Sequence, residues 1–140
     1  MSQEDLKALR AEYVAMSRRD WNAVLSVAHR NFELTTPGGG LDVETIRGVE
    51  SARRAFEDFF SPFEALSVEP EAFFEGDGQI VVFFLQRARP LGSSAYVERR
   101  AAHLWTMRDG KAIGLEIFPL REKALEAAGL SDQDALADSP

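Results

Sequence analysis

The chain has 140 residues, the size of one ordinary domain, and its 45% hydrophobic and 28% charged residues exclude a disordered tail. A formal charge of −7 argues against a nucleic-acid partner, because gripping a phosphate backbone takes clustered Lys and Arg. The absence of cysteine excludes a disulfide framework, thiolate zinc sites and a cysteine nucleophile.

No apolar run approaches the ~20 residues that a bilayer-spanning helix needs, so no membrane partner is expected. Met1-Ser2-Gln3-Glu4-Asp5 is acidic where a secretory signal would be basic and then apolar, so the expected location is cytoplasmic.

Leu6, Leu9, Tyr13 and Met16 recur at helical spacing with charges between them, which predicts an amphipathic first helix. Asp20 is a good N-cap for a second helix turning Trp21, Val24, Leu25 and Ala28 inward, with His29 at its C-terminal dipole end. Phe32 to Thr36 then alternates with period two, a short strand ended by Pro37-Gly38-Gly39-Gly40. The stretch to Gly48 is expected to be loop with a brief strand. The glycine run lacks the lysine and strand–loop–helix setting of a phosphate loop, so it reads as a turn that also gates a pocket mouth. Val49, Ala52, Phe56, Phe59, Phe60 and Phe63 mark a third helix, closed or bent by Pro62.

The second half is strand after strand. Leu66 to Phe74 is the first, with Pro70 implying an edge or a bulge. Gln79 to Ala88 and Tyr96 to Met107 follow, and Arg108-Asp109-Gly110 turns tightly into Lys111 to Phe118. Leu120 to Ala128 reads as a helix stopped by Gly129. One α+β domain over residues 1–130 is therefore expected, with 131–140 a polar, frayed tail.

Three stretches carry a family resemblance: Arg47-Gly48-Val49-Glu50-Ser51, the run from Ala102 to Lys111, and Ala124-Leu125-Glu126-Ala127-Ala128-Gly129-Leu130. With the order of elements, they make the chain resemble the nuclear-transport-factor-like, ketosteroid-isomerase-like superfamily, in its SnoaL-like branch. The resemblance covers roughly Leu6 to Leu130. It implies a curved antiparallel sheet wrapped around helices, forming a cone with an internal pocket for a small hydrophobic molecule. It also implies a homodimer; Ala101, Trp105 and Phe118 on the outer sheet face are consistent with one.

The resemblance is specific for fold and weak for activity. Ketosteroid isomerases use a base at the end of the first strand, a tyrosine on the first helix and a protonated acid on a later strand. Tyr13 falls at the tyrosine position, but Thr36 falls where the base belongs and Ala102 where the acid belongs, so that chemistry is disfavoured. Epoxide hydrolases of the superfamily use an arginine and two aspartates. Arg100 matches the arginine, and the aspartates are missing.

If position 102 faces the cavity, as the resemblance implies, strand parity turns Glu98, Arg100 and Leu104 inward with it, and His103 and Trp105 outward. His103 and Glu116 then pair on the outer face. Glu98 and Arg100, supported by Tyr13, become the catalytic candidates for a lyase, isomerase or hydrolase. The other reading of Glu98 and Arg100 is a buried ion pair joined by Arg87. The ligand-binding candidates are Tyr13, Trp21, Thr36, Phe56, Phe60, Glu98, Arg100, Leu115 and Ile117. No cofactor or metal is expected, since the two histidines lie far apart without a matching carboxylate spacing. A ligand-binding domain, a homodimeric interaction module and an enzyme of the type just given all remain open.

Overall fold

A computed structural model describes residues 3–37 and 43–136 of the chain. Helix α1 (Gln3–Ser17) buries Leu6, Leu9, Tyr13 and Met16. It ends where Arg19 adopts a positive φ of 58° and the Asp20 N–H returns to the Ala15 carbonyl at 3.0 Å. Asp20 then caps α2 (Trp21–Leu25), its carboxylate accepting from the Ala23 N–H at 3.2 Å.

Helix α2 is shorter than its apolar spacing predicts. Ala28 and His29 belong instead to strand β1 (Ala28–Pro37), because Ala28 pairs with Ala112 and the Val27 carbonyl accepts from the Ala112 N–H at 3.0 Å. Pairing with a distant strand overrides a local helical pattern. His29 thus lies in a strand rather than at a helix end, and its Nδ1 accepts from the Asn31 N–H at 3.0 Å.

Strand β2 (Val43–Arg47) pairs antiparallel with β1. Gly48 follows at φ 94° and ψ 152°, a region essentially confined to glycine, and its N–H bonds the Phe32 carbonyl at 2.8 Å. That kink launches α3 (Val49–Phe60), which ends before Pro62 and buries Ala52, Phe56 and Phe60. Trp21 stacks on Phe56 and Phe60, each at 5.4 Å between centroids, locking α2 to α3.

Strands β3 (Phe63–Glu75), β4 (Gln79–Pro90), β5 (Val97–Arg108) and β6 (Lys111–Phe118) complete a six-stranded sheet ordered β2-β1-β6-β5-β4-β3. All neighbours are antiparallel except β1 and β6, which run parallel. Pro70 sits on the edge strand β3, where the ladder slips between Pro70 and Ala72, as a residue without an N–H requires. Asp109 and Gly110, at φ 52° and 77°, make the tight β5–β6 turn.

The sheet has an apolar layer on each face. On the inner face, α1, α2 and α3 cover Leu34, Val82, Phe84, Ala101, Trp105 and Leu115. On the outer face, α4 (Arg121–Ala128) seats Ala124 and Leu125 against Phe74, Val81, Ala102 and Leu104. Arg121 ties this layer down, donating to the Ala101 and Phe84 carbonyls at 3.1 and 2.8 Å and lying over the Phe83 ring. α4 closes on Gly129 as expected.

After α4 the chain runs back along the sheet edge as far as Leu136. Ser131 and Asp134 form a capping box, Ala135 bridges to Phe74, and the Leu136 N–H reaches the Phe73 carbonyl at 2.8 Å. Sheet-edge hydrogen bonds and the apolar Leu136 side chain recruit these residues. The rest of the expected tail, 137–140, and the glycine run expected to gate the pocket lie outside the described residues. No described helix is long and apolar enough to cross a membrane.

Candidate functional site

Strand register decides which side chains β5 turns inward. His103 pairs with Val82 on β4 and Ile117 on β6, and Trp105 with Ile80 and Leu115. Ala101, His103 and Trp105 are buried with the helix-facing cluster or bonded to it, whereas Ala102 and Leu104 lie under α4. The parity expected for β5 is therefore reversed. Glu98 and Arg100 fall on the outer face, half-exposed, Glu98 beside Arg87 at 3.6 Å and Arg100 beside Glu71 at 3.5 Å. Neither lines the inner-face cavity, and each pairs with a different residue rather than with the other. His103 and Glu116 do not meet, since Glu116 stands opposite Leu104 on the outer face. Ala101 and Trp105 leave the outer surface to which a dimer contact was assigned; Phe118 stays there, half-buried beside the α4 layer.

Among the described residues the inner face holds a small, partly open cavity of about 20 Å³, enough for roughly one water. Its apolar wall comes from Met16, Leu34, Phe56, Phe60, Val68 and Phe84, with Ile117 on β6. Phe59 also lines it while 45% exposed, and so stands on its solvent side. Four polar residues converge on this wall: Thr36, Gln86, Arg99 and His103. Of the expected ligand-binding residues, Thr36, Phe56, Phe60 and Ile117 line the cavity. Trp21, Tyr13 and Leu115 are buried behind it. The other lining residues were not foreseen, the polar Gln86, Arg99 and His103 among them; with β5 parity corrected, the alternation along β4 and β5 would have found those three.

His103 is held by a chain of three side chains. The Trp105 indole N–H donates to the Tyr13 hydroxyl at 2.9 Å, and that hydroxyl lies 2.8 Å from His103 Nδ1. Indole nitrogen only donates, so the Tyr13 oxygen accepts from it. The Tyr13 proton then has one partner, His103 Nδ1. Were Nδ1 protonated instead, the hydroxyl proton would be stranded in a dry core at a cost of about 1–3 kcal/mol. His103 is accordingly the tautomer with its proton on Nε2, the one ring nitrogen left to donate towards the cavity that the ring lines.

The electrostatics hold this arrangement. Burial, and secondarily the Arg99 charge, push His103 down to about 3, so the imidazole is neutral at physiological pH. Burial keeps the Tyr13 phenol well above its usual range, so it remains a donor. Arg99, at the edge of the apolar wall, is pulled below its ordinary value by desolvation. His103 stacks on Phe84 at 4.1 Å between centroids, which fixes the ring plane.

The site donates hydrogen bonds and has little capacity to remove a proton. Among the described residues no carboxylate lines the cavity. His103 Nδ1 is occupied by Tyr13, and Nε2 carries its own proton. Glu12 on α1 is buried and pushed up to about 8 by burial, with Oε2 unbonded, but it does not border the cavity. Among the described residues no cluster of three His, Asp or Glu is placed to hold a metal.

This order of elements and this cone belong to a known group. The model of the SnoaL-like domain family matches residues 9–114, and the chain belongs to that family. Among solved structures, TerC co-crystallised with polyporic acid is 25% identical, with 90% of this chain and 98% of that one aligned at a TM-score of 0.73. An NTF2-like protein of unknown function from Burkholderia pseudomallei is 22% identical, over 91% of this chain and 98% of its own, at 0.71. A protein of ketosteroid isomerase-like fold from Catenulispora acidiphila, in complex with trimethylamine, is 14% identical, over 94% and 96%, at 0.70. A search of curated proteins finds no match.

Proposed function

We propose that the cone is a binding site for a small, flat, largely apolar molecule, and that the domain binds this molecule without itself acting as a base towards it. One observation carries the reading: four polar groups, Thr36, Gln86, Arg99 and His103, converge on an otherwise aliphatic and aromatic wall. A few fixed polar groups on an apolar surface are what orients a bound small molecule. TerC, which shares the fold, was co-crystallised with a small organic molecule, polyporic acid, and this supports a small-molecule ligand. At about 20 Å³ the cavity admits a ring only if aromatic side chains of α3 turn aside, and Phe59, already partly in solvent, is the first to do so.

The enzyme reading built on Glu98 and Arg100 has no support from their outer-face positions. The interaction-module reading loses Ala101 and Trp105 as surface. The test is an NMR titration with 2-naphthol, a neutral bicyclic probe. Saturable shifts at Met16, Phe56, Phe60 and His103 are expected; shifts confined to the outer face, or none at millimolar probe, would sink the proposal.

A further inference from the structure

Arg99 differs from the arginines around it. Arg87 pairs with Glu98, Arg89 with Glu64 at 2.7 Å, and Arg100 with Glu71. Among the described residues no ion pair or hydrogen bond engages the Arg99 guanidinium. It borders a cavity in whose wall no carboxylate stands among the described residues, and Gln86, its cross-strand partner, is neutral. Arg99 is an exposed residue at the cavity rim, so an anionic group reaching that rim would gain a charge-assisted hydrogen bond from a guanidinium with no other partner among the described residues. The whole chain carries a formal charge of −7 and repels anions at long range, so any attraction for one is local.

Deeper in the same cavity, four residues along β5, His103 offers the second donor. Its tautomer is not free to change while Tyr13 spends its proton on Nδ1. A ligand atom beside Nε2 must therefore accept. An N–H or O–H donor there would find no lone pair.

We infer that the pocket is built for a flat acid carrying two oxygens in different roles: an anionic group facing Arg99 at the cavity edge, and a carbonyl-type acceptor taking the His103 Nε2–H inside. This rests on the cone being the binding site. Arg99 selects for the charge. Tyr13 and Trp105 are positioning residues that act through His103, and a Tyr13→Phe variant lets the imidazole adopt the other tautomer and turn a lone pair towards the ligand.

Three probes of similar shape test the two roles in the unaltered protein. 4-Acetylbenzoate has both oxygens, 4-nitroacetophenone replaces the carboxylate by a neutral group, and 4-isopropylbenzoate lacks the acceptor. Binding is read by NMR titration, with 15N shifts at His103 Nε2 and Arg99 Nε. We expect 4-acetylbenzoate to bind about tenfold more tightly than 4-nitroacetophenone, and several-fold more tightly than 4-isopropylbenzoate. Arg99→Gln removes the first preference only, Tyr13→Phe the second only, and Arg100→Gln neither. Equal or tighter binding of 4-nitroacetophenone overturns the assignment of an acid while leaving an apolar pocket standing. If no probe moves a cavity resonance, the binding-site reading falls with it. Because the preferences are first measured without substitution, a variant that fails to fold does not remove the test.

Discussion

The Trp105 indole N–H donates to the Tyr13 hydroxyl at 2.9 Å, joining the central strand β5 to the first helix across 92 positions of sequence. Both residues are almost wholly buried, so neither group has water as an alternative partner. Tyr13→Phe leaves the indole N–H unbonded and His103 Nδ1 without its donor. The expected loss is about 1–3 kcal/mol, a fall in Tm of roughly 3–10 °C. Thermal unfolding followed by circular dichroism reads it, and an unchanged Tm would show that the relay contributes nothing to stability.

Two buried groups shape stability against pH in opposite senses. Glu12 is raised to about 8 from an ordinary value near 4.5, so the unfolded chain ionises first and stability falls as pH rises from 4.5 to 8. His103 is lowered to about 3 from about 6.5, so the unfolded chain gains a proton first and stability falls as pH drops from 6.5 to 3. Between about 4.5 and 6.5 the two slopes cancel. These two groups together predict a plateau there, with losses on the order of 2 kcal/mol on each flank. Glu12→Met should raise Tm at pH 8 and flatten the alkaline flank, since it removes the only buried side-chain oxygen or nitrogen without a bond among the described residues. Denaturant unfolding at pH 4, 6 and 8 separates this from no change at pH 8, which would mean that Glu12 is solvated.

The stack of Trp21 between Phe56 and Phe60 fastens α2 to α3 and backs the cavity wall. Trp21→Ala removes a side chain only 8% exposed and is expected to cost about 3–5 kcal/mol. Trp21→Phe keeps a ring in the stack and should cost clearly less. Equal destabilisation by the two would assign the effect to the indole itself rather than to filled volume.

Glu98 and Arg100 serve as the contrasting pair. Both lie half-exposed on the outer face, where single ion pairs contribute little. Glu98→Gln and Arg100→Gln are each expected to change stability by less than about 1 kcal/mol and to leave binding of 2-naphthol unaffected. A binding loss in either variant would place that residue in the pocket after all and count against the β5 register described above.

Much of the architecture was legible before the fold was known. The spacing of Leu6, Leu9, Tyr13 and Met16, the cap at Asp20, the turn at Asp109-Gly110 and the stop at Gly129 are local signals, and local backbone and solvation preferences suffice to set them. Phe56 and Phe60 were legible as the buried side of a helix with one polar face, whereas the cavity and the place of Thr36 beside it came from the family resemblance. The end of α2 was misjudged because Ala28 takes its hydrogen-bond partner from β6, more than eighty positions away.

The side of β5 was a different matter. On a sheet with one wet face, alternation tells inside from outside. Here α4 and its neighbours dry part of the outer face while α1 and α3 dry the inner one, so β4 reads Val81-Val82-Phe83-Phe84 and β5 reads Ala101-Ala102 with apolar residues on both parities. A one-residue change of parity exchanges Arg100 for Arg99 and Ala102 for His103 without altering composition. The sequence by itself determined the elements, their order and the family. Which cation and which imidazole meet in the cone was decided only when cross-strand pairing fixed the register and Tyr13, from the first helix, closed a hydrogen bond on His103.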